Sequence, residues 1–227
     1  MGNIDGNSIG QFILYMVALI FSLSVHESAH AWASNQFGDD LARLQGRISL
    51  NPAVHVDPIG TLLFPAIAFF TGAPLIGWAK PTPVNPLRWR NKRVANFWVS
   101  AAGAISNFII AIIAGIALRL LHTVGITRGL SLSPDASTIA TGAFELLVTF
   151  FLLNVALGVF NLLPIPPLDG SKVLASILPE SFESGIEALE RFGFILLFIA
   201  IFTGVLSAIF KFVMPLAWAL VFFGARG

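Results

Sequence analysis

Long apolar stretches constrain the fold of this chain more than any other feature. They cover about residues 9–34, 62–78, 94–119, 143–163 and 193–223. A helix needs roughly 20 apolar residues to cross the hydrocarbon core of a bilayer, and the first, third and fourth stretches meet that length without interruption. The composition agrees, because 11% of the residues are charged, whereas a soluble domain carries about 25%. The sequence therefore predicts an all-α, polytopic membrane protein.

The second and fifth stretches are interrupted. The second, LLFPAIAFFTGAPLIGW, contains two prolines and two glycines, which indicates a kinked span, a re-entrant loop or a helix packed at the surface. The fifth carries Lys211 and Pro215 and is predicted to form one span to about Phe210 and a second, terminal segment.

Between the first two stretches, GRISL indicates a short strand bounded by turn residues. We predict one integral-membrane domain over residues 1–227, a bundle of about 4–6 transmembrane segments with a small β or re-entrant element after the first helix.

Basic residues near the spans predict the orientation. The segment 79–93, AKPTPVNPLRWRNKR, holds five basic residues and no acidic one, so the positive-inside rule places it in the cytoplasm. The loop 120–142 contains a single basic residue, Arg128, and should lie on the other side of the membrane. The stretch 143–163 then returns to the cytoplasmic side and places LPIPPLDGSK there.

The first apolar stretch contains the sequence HESAH. Ionisable groups at membrane depth are costly and usually functional. His26 and His30 are four residues apart, so both project from one face of a helix and can chelate one metal ion. Glu27 can reach a water molecule on that metal and act as a general base, which is the HExxH pattern of metalloproteases. The alternative is a polar cavity or a proton path without metal.

A catalytic zinc ion needs a third protein ligand besides two histidines. The chain has no cysteine, so this ligand must be a histidine or a carboxylate, and the candidates are His55, Asp57, Glu145 and Asp169. Asp169 is favoured because prolines end the preceding helix in NLLPIPPLDG and Gly170 permits a turn directly after the carboxylate. Taken without HESAH, Asp169 fits an ordinary cap or turn residue equally well.

Together, HESAH and NLLPIPPLDG resemble the site-2 protease family of intramembrane zinc metalloproteases. The resemblance extends through GRISLNPAVHVDPIGT, GWAKPTPVNP and AGAISNF, over about residues 22–175, and it is greatest for the compact prokaryotic branch without a PDZ domain. The catalytic core would span about residues 9–175. One departure is Ala104, where the family commonly has proline, although Asn107 still matches.

The resemblance implies one zinc ion per chain, held by His26, His30 and Asp169. It implies that Glu27 is the catalytic base and that Asn161 helps to hold the substrate strand or the oxyanion. The implied activity is hydrolysis of peptide bonds in membrane-spanning substrates, known as regulated intramembrane proteolysis. The protein would be a multi-pass component of a prokaryotic cell membrane, with its active site toward the cytoplasm and with the bilayer and transmembrane proteins as partners.

A shared metal also constrains the topology. For His26 and His30 to meet Asp169 on the cytoplasmic side, the first helix must begin outside the cell and end inside. Both ends of the segment 36–93 are then cytoplasmic, which predicts that 62–78 dips into the membrane and returns. The edge of GRISL could pair with an unwound substrate segment.

The alternative function is a proton-coupled or metal-binding membrane transporter. Transporters also use intramembrane His, Glu and Asp residues together with broken helices. That class often shows an internal repeat, and none is visible in this sequence. The formal net charge of +1 gives no indication of a nucleic-acid partner.

Overall fold

A computed structural model describes residues 6–72, 77–124 and 138–223. Within these ranges most of the chain is helical, and short 3₁₀ or π turns connect several of the helices. Numbered in chain order, the helices are α1 (Gly6–Gln36), α2 (Leu41–Leu44), α3 (Phe64–Thr71), α4 (Lys92–Thr123), α5 (Thr138–Asn161), α6 (Asp169–Ile177), α7 (Glu183–Arg191), α8 (Gly193–Phe202) and α9 (Val205–Phe222).

Helices α1, α4, α5 and α9 are long and apolar enough to cross a membrane. Two apolar helical segments are shorter: α8, and α3 with the π turn that precedes it (Pro58–Thr71). Because a helix of about 20 residues spans the hydrocarbon core, the described residues confirm the prediction of an all-α integral membrane protein.

Helix α4 lies at the centre of the bundle. It contacts α1, α5, α6 and α9, and its buried Ala111, Ala114 and Leu118 pack against Phe151 and Val155 of α5. Small residues allow the backbones of membrane helices to approach closely. The central helix therefore has neighbours on several sides, and the HESAH segment of α1 lies against it.

The fifth apolar stretch divides earlier than predicted. Helix α8 ends at Phe202 and α9 begins at Val205, with Gly204 between them at a φ of 79°. Glycine enters this left-handed region without the Cβ clash that other residues meet. The predicted division near Phe210 is wrong, because Pro215 lies inside α9 without ending it, as neighbouring groups often permit in membrane helices.

The stretch GRISL, predicted to be a strand, is irregular in the structure. A strand needs a neighbour for its backbone hydrogen bonds, and the described part of the chain provides none. Instead, the buried Arg47 side chain donates hydrogen bonds to the backbone carbonyls of Val54 and Lys80. These bonds fasten the loop to two other segments, and the strand prediction is therefore wrong.

The chain returns on itself between His55 and Lys80. The Trp78 N–H donates to the Gly60 carbonyl at 3.2 Å, and the Lys80 N–H donates to the His55 carbonyl at 2.8 Å. The hydroxyl of Thr61 donates to the Trp78 carbonyl at 2.8 Å. The beginning and the end of this segment therefore lie side by side, with α3 between them in sequence.

Candidate metal centre

His26, His30 and Asp169 converge in the interior of the bundle. The Nε2 atoms of the two histidines are 3.0 Å apart, and Asp169 Oδ2 lies 3.3 Å from Nε2 of His26 and 3.1 Å from Nε2 of His30. Two ligands that each lie about 2.0–2.1 Å from a tetrahedral zinc ion are about 3.3 Å apart. The three atoms thus have nearly the mutual spacing of a zinc ligand set, and they form the one such group among the described residues.

The loop after α5 delivers the carboxylate to this point. Asp169 is the first residue of α6, and Gly170 packs so tightly against Leu162 and Leu163 that a Cβ would overlap with their backbone atoms. Gly170 does not have a positive φ. It lies in the turn that begins α6, where the Ser171 N–H donates to the Leu168 carbonyl at 3.1 Å, and the close approach of two backbones is what requires glycine here.

The other ring nitrogen of His30 has a partner that can only accept. Its Nδ1 lies 2.6 Å from the backbone carbonyl of Val99 on α4. Nδ1 must then carry the hydrogen, which leaves a lone pair on Nε2. A carbonyl or carboxylate that receives the second ring N–H is the usual support of a metal-binding histidine.

His26 is fixed by a chain of buried hydrogen bonds. The amide nitrogen of Asn154 donates to the Phe150 carbonyl at 2.9 Å and to Ser22 Oγ at 2.8 Å. Since that carbonyl can only accept, Asn154 turns its Oδ1 toward Asn107, whose amide nitrogen donates to it at 2.8 Å. Asn107 then turns its own Oδ1 toward Nδ1 of His26 at 2.7 Å. Nδ1 of His26 is therefore the donor, and its Nε2 also has a free lone pair.

Three lone pairs consequently face one another with no hydrogen between them. Asp169 Oδ2 is buried and has no hydrogen-bond partner, which is costly unless a cation balances it. Gly103 of α4 leaves the necessary room, because a Cβ there would lie 2.5 Å from Nε2 of both histidines. The donor atoms, their tautomers and the space around them fit a zinc ion.

Helix α4 supports the centre through one face. Val99, Gly103 and Asn107 follow at intervals of four residues, so they lie along a single stripe of the helix. Val99 accepts the hydrogen bond from His30, Gly103 leaves space for the two imidazoles, and Asn107 orients His26. Ala104, which replaces the proline common in the family, is fully buried inside the uninterrupted α4.

Glu27 is held by a distant segment of the chain. Its Oε2 accepts a hydrogen bond from the backbone N–H of Thr82 at 2.8 Å and from the Thr82 hydroxyl at 2.8 Å. Sequence reasoning missed Thr82, together with Ser22 and Asn154. The signal for the last two was available, since both are polar residues inside apolar stretches.

The other carboxylate and histidine candidates lie outside this group. Asp57 accepts hydrogen bonds from the N–H groups of Ile59 and Gly60 and caps the helical turn there. His55 is buried with Nε2 bonded to the Ser49 carbonyl at 2.8 Å, and burial together with the nearby Arg47 cation lowers the pKa of His55. Glu145 is half-buried on α5. In Asn161, the amide nitrogen donates to the Leu157 carbonyl one turn earlier.

A helical bundle of membrane-spanning length with convergent histidine and carboxylate ligands defines an integral membrane metalloprotein. The chain matches the model of Peptidase family M50 over residues 14–200. It is 37% identical over 188 residues to YwhC of Bacillus subtilis, which is named as a candidate zinc metalloprotease, and the match covers 83% of this chain and 80% of that protein. The chain therefore belongs to peptidase family M50, the site-2 protease family, as the sequence motifs predict.

More distant relatives agree. Rip2 of Mycolicibacterium smegmatis, also named as a candidate zinc metalloprotease, is 28% identical over 200 residues, which cover 88% of this chain and 70% of that protein. The zinc metalloprotease MJ0392 of Methanocaldococcus jannaschii is 24% identical over 226 residues, 99% of this chain and 51% of that protein. No solved structure gives a significant match to the chain. The protein is a membrane-embedded metalloprotease of the site-2 type that acts on protein substrates.

Proposed function

We propose that this protein is a zinc-dependent endopeptidase that hydrolyses peptide bonds of membrane-spanning substrates within the membrane. The observation that carries the proposal is the convergence of His26 and His30 with the buried, unpartnered Oδ2 of Asp169. These side chains would hold one zinc ion per chain. When bound, zinc supplies a Lewis acid that polarises a scissile carbonyl and lowers the pKa of water.

Glu27 is the proposed general base. It follows His26 directly in the sequence, and its Oε2 is already committed to Thr82. The remaining oxygen, Oε1, would take the proton of the attacking water and deliver it to the leaving amine. Asn161 is proposed to contact the substrate strand or the oxyanion. For that role its amide nitrogen must exchange the bond to the Leu157 carbonyl for one to the substrate.

The segment 62–78 is the proposed re-entrant element. The residues around its two ends, from His55 to Thr61 and from Trp78 to Lys80, are hydrogen-bonded to each other, so they lie on the same side of any membrane that surrounds the bundle. The adjoining basic segment 79–93 supports the cytoplasm as that side. The active site would then open toward the cytoplasm. The relatives named above come from bacteria and an archaeon, which supports a prokaryotic cell membrane.

Substrate binding must expose the scissile carbonyl, which a helical peptide hides in its own hydrogen bonds. The idea that GRISL offers a strand edge for this purpose has lost its structural basis. No strand forms there, and Ile48 lines an apolar groove of about 270 Å³ with Val25 and Trp32. Val25 and Trp32 occupy a different face of α1 from His26 and His30. The unit of activity is proposed to be one domain over residues 1–227 with its catalytic core in about residues 9–175.

The test compares purified wild type with Glu27→Gln, using a reporter that contains a transmembrane helix. We expect cleavage by the wild type and no cleavage by the variant, with zinc retained in both. His26→Ala and Asp169→Ala should lose both zinc and activity. Equal cleavage by wild type and Glu27→Gln would refute the protease mechanism and favour a transporter or another metal-binding membrane protein.

A further inference from the structure

We propose that Thr82 is a positioning residue for Glu27, and that the extended segment 79–85 (the strap) keeps it in place. The inference rests on the proposed role of Glu27 as general base. Its starting point is that the Thr82 N–H and hydroxyl both lie 2.8 Å from the same carboxylate oxygen. Two donors on Oε2 fix the rotamer of Glu27 and leave Oε1 for the proton of the attacking water.

The sequence around Thr82 directs its backbone to this contact. Pro81 and Pro83 have no N–H group, so Thr82 provides the one backbone donor of the Pro-Thr-Pro tripeptide. Pro83 also restricts Thr82 to extended conformations, in agreement with the absence of helix or turn at this residue. The single backbone donor of the tripeptide is thus bonded to Glu27.

The strap is fastened on both sides of Thr82. On one side, the Lys80 N–H donates to the His55 carbonyl at 2.8 Å, and the Lys80 carbonyl accepts from the buried Arg47. On the other side, the Asn85 N–H donates to the carboxylate of the fully buried Asp39 at 2.7 Å. Because these anchors belong to segments outside the metal group, the strap holds Thr82 in position independently of Glu27.

The Thr82 hydroxyl can serve two acceptors with one hydrogen. It lies 2.8 Å from Glu27 Oε2 and 2.9 Å from the Glu27 backbone carbonyl, so either choice ties the strap to the same turn of α1. Removal of the hydroxyl leaves the N–H bond in place. We therefore expect a looser carboxylate, and a misplaced reacting group typically costs about ten- to hundredfold in rate.

The activity experiment uses Thr82→Val, which keeps the shape of the side chain, and Thr82→Ser, which restores the hydroxyl. We expect Thr82→Val to lower kcat by about tenfold or more with zinc content and KM unchanged, and Thr82→Ser to recover most of the loss. The matched control is Thr203→Val, whose hydroxyl bonds to the Ile199 carbonyl at the end of α8. An unchanged kcat in Thr82→Val would overturn the inference.

A second measurement does not depend on activity. Thermal unfolding of Thr82→Val is compared in the wild-type background and in a Glu27→Ala background. The backbone carbonyl of residue 27 is an available acceptor in both backgrounds, so the difference between the two falls in Tm reports on the carboxylate. We expect a clear fall in Tm in the first background and a smaller one in the second, whereas equal falls would overturn the inference. Failure of the proposed function has a different signature, namely equal cleavage by wild type and Glu27→Gln.

Discussion

A single methyl group added at Gly103 should strongly weaken metal binding. The Cβ of Gly103→Ala would lie 2.5 Å from Nε2 of both His26 and His30. Nonbonded heavy atoms come to rest at about 3.5 Å or more, so the overlap is about 1 Å. Metal–ligand distances tolerate a change of only about 0.2 Å. The imidazoles cannot retreat by the required distance and keep Nδ1 on Val99 and Asn107.

The expected loss is large in zinc affinity and modest in stability. Changes to groups that merely orient metal ligands cost about 10–100-fold in affinity, and displacement of both histidines should cost at least about 100-fold. Overpacking of a core typically costs about 1–3 kcal/mol. Zinc content by mass spectrometry, affinity by chelator competition and thermal unfolding by scanning fluorimetry measure these quantities on detergent-purified protein.

The control for this experiment is Gly142→Ala on α5. A Cβ at Gly142 meets no atom within 4 Å, and alanine replaces glycine in a helix with a gain of about 0.5–1 kcal/mol. Gly142→Ala should therefore retain zinc and activity, with an equal or slightly higher Tm. Wild-type zinc affinity in a folded Gly103→Ala would refute the proposed position of the metal between the histidines.

Further predictions address the surroundings of the centre. Asn154→Leu should leave the orientation of Asn107 undetermined, which we expect to weaken zinc affinity by about 10–100-fold; unaltered chelator competition would contradict this. Arg93 donates to the carbonyls of Ser176, Ile177 and Leu178 at the end of α6. Arg93→Met should therefore lower the free energy of unfolding by about 1–3 kcal/mol and lower Tm. An unchanged Tm would show that the guanidinium does not contribute to stability. Removal of zinc by a chelator should lower Tm as well, since a ligand at about 100 times its Kd stabilises a protein by about 2.7 kcal/mol; readdition of zinc should restore it.

The convergence of His26, His30 and Asp169 could be predicted because the sequence signals for these residues are local. Two histidines separated by one helical turn share a face wherever the helix lies, and three prolines within the four residues 164–167 end the helix before Asp169. The strand at GRISL could not be settled in the same way, since a strand exists only if another segment pairs with it. The division of the last apolar stretch was misplaced because Pro215, a strong local signal in soluble helices, is tolerated within a membrane helix.

The contacts of the supporting residues could not be predicted, for a different reason. Thr82 lies 55 residues from Glu27, and Asn154 lies 47 residues from Asn107 and 132 from Ser22. No periodicity or spacing rule connects such positions, because the contacts depend on which helices become neighbours. What the sequence does show is that Ser22, Asn107 and Asn154 are polar residues in apolar stretches, and such residues demand partners inside the membrane.

The buried hydrogen bonds from Phe150 to His26 have a consequence for biosynthesis. They join three separate membrane helices, so the correct tautomer of His26 is enforced only after all three have been inserted and have associated. A newly inserted α1 would present its histidines in either tautomer and without Asp169. We therefore expect zinc loading to follow bundle assembly, and immature chains should be unable to cleave neighbouring membrane proteins. In pulse-chase labelling, metal retention should accordingly lag behind insertion.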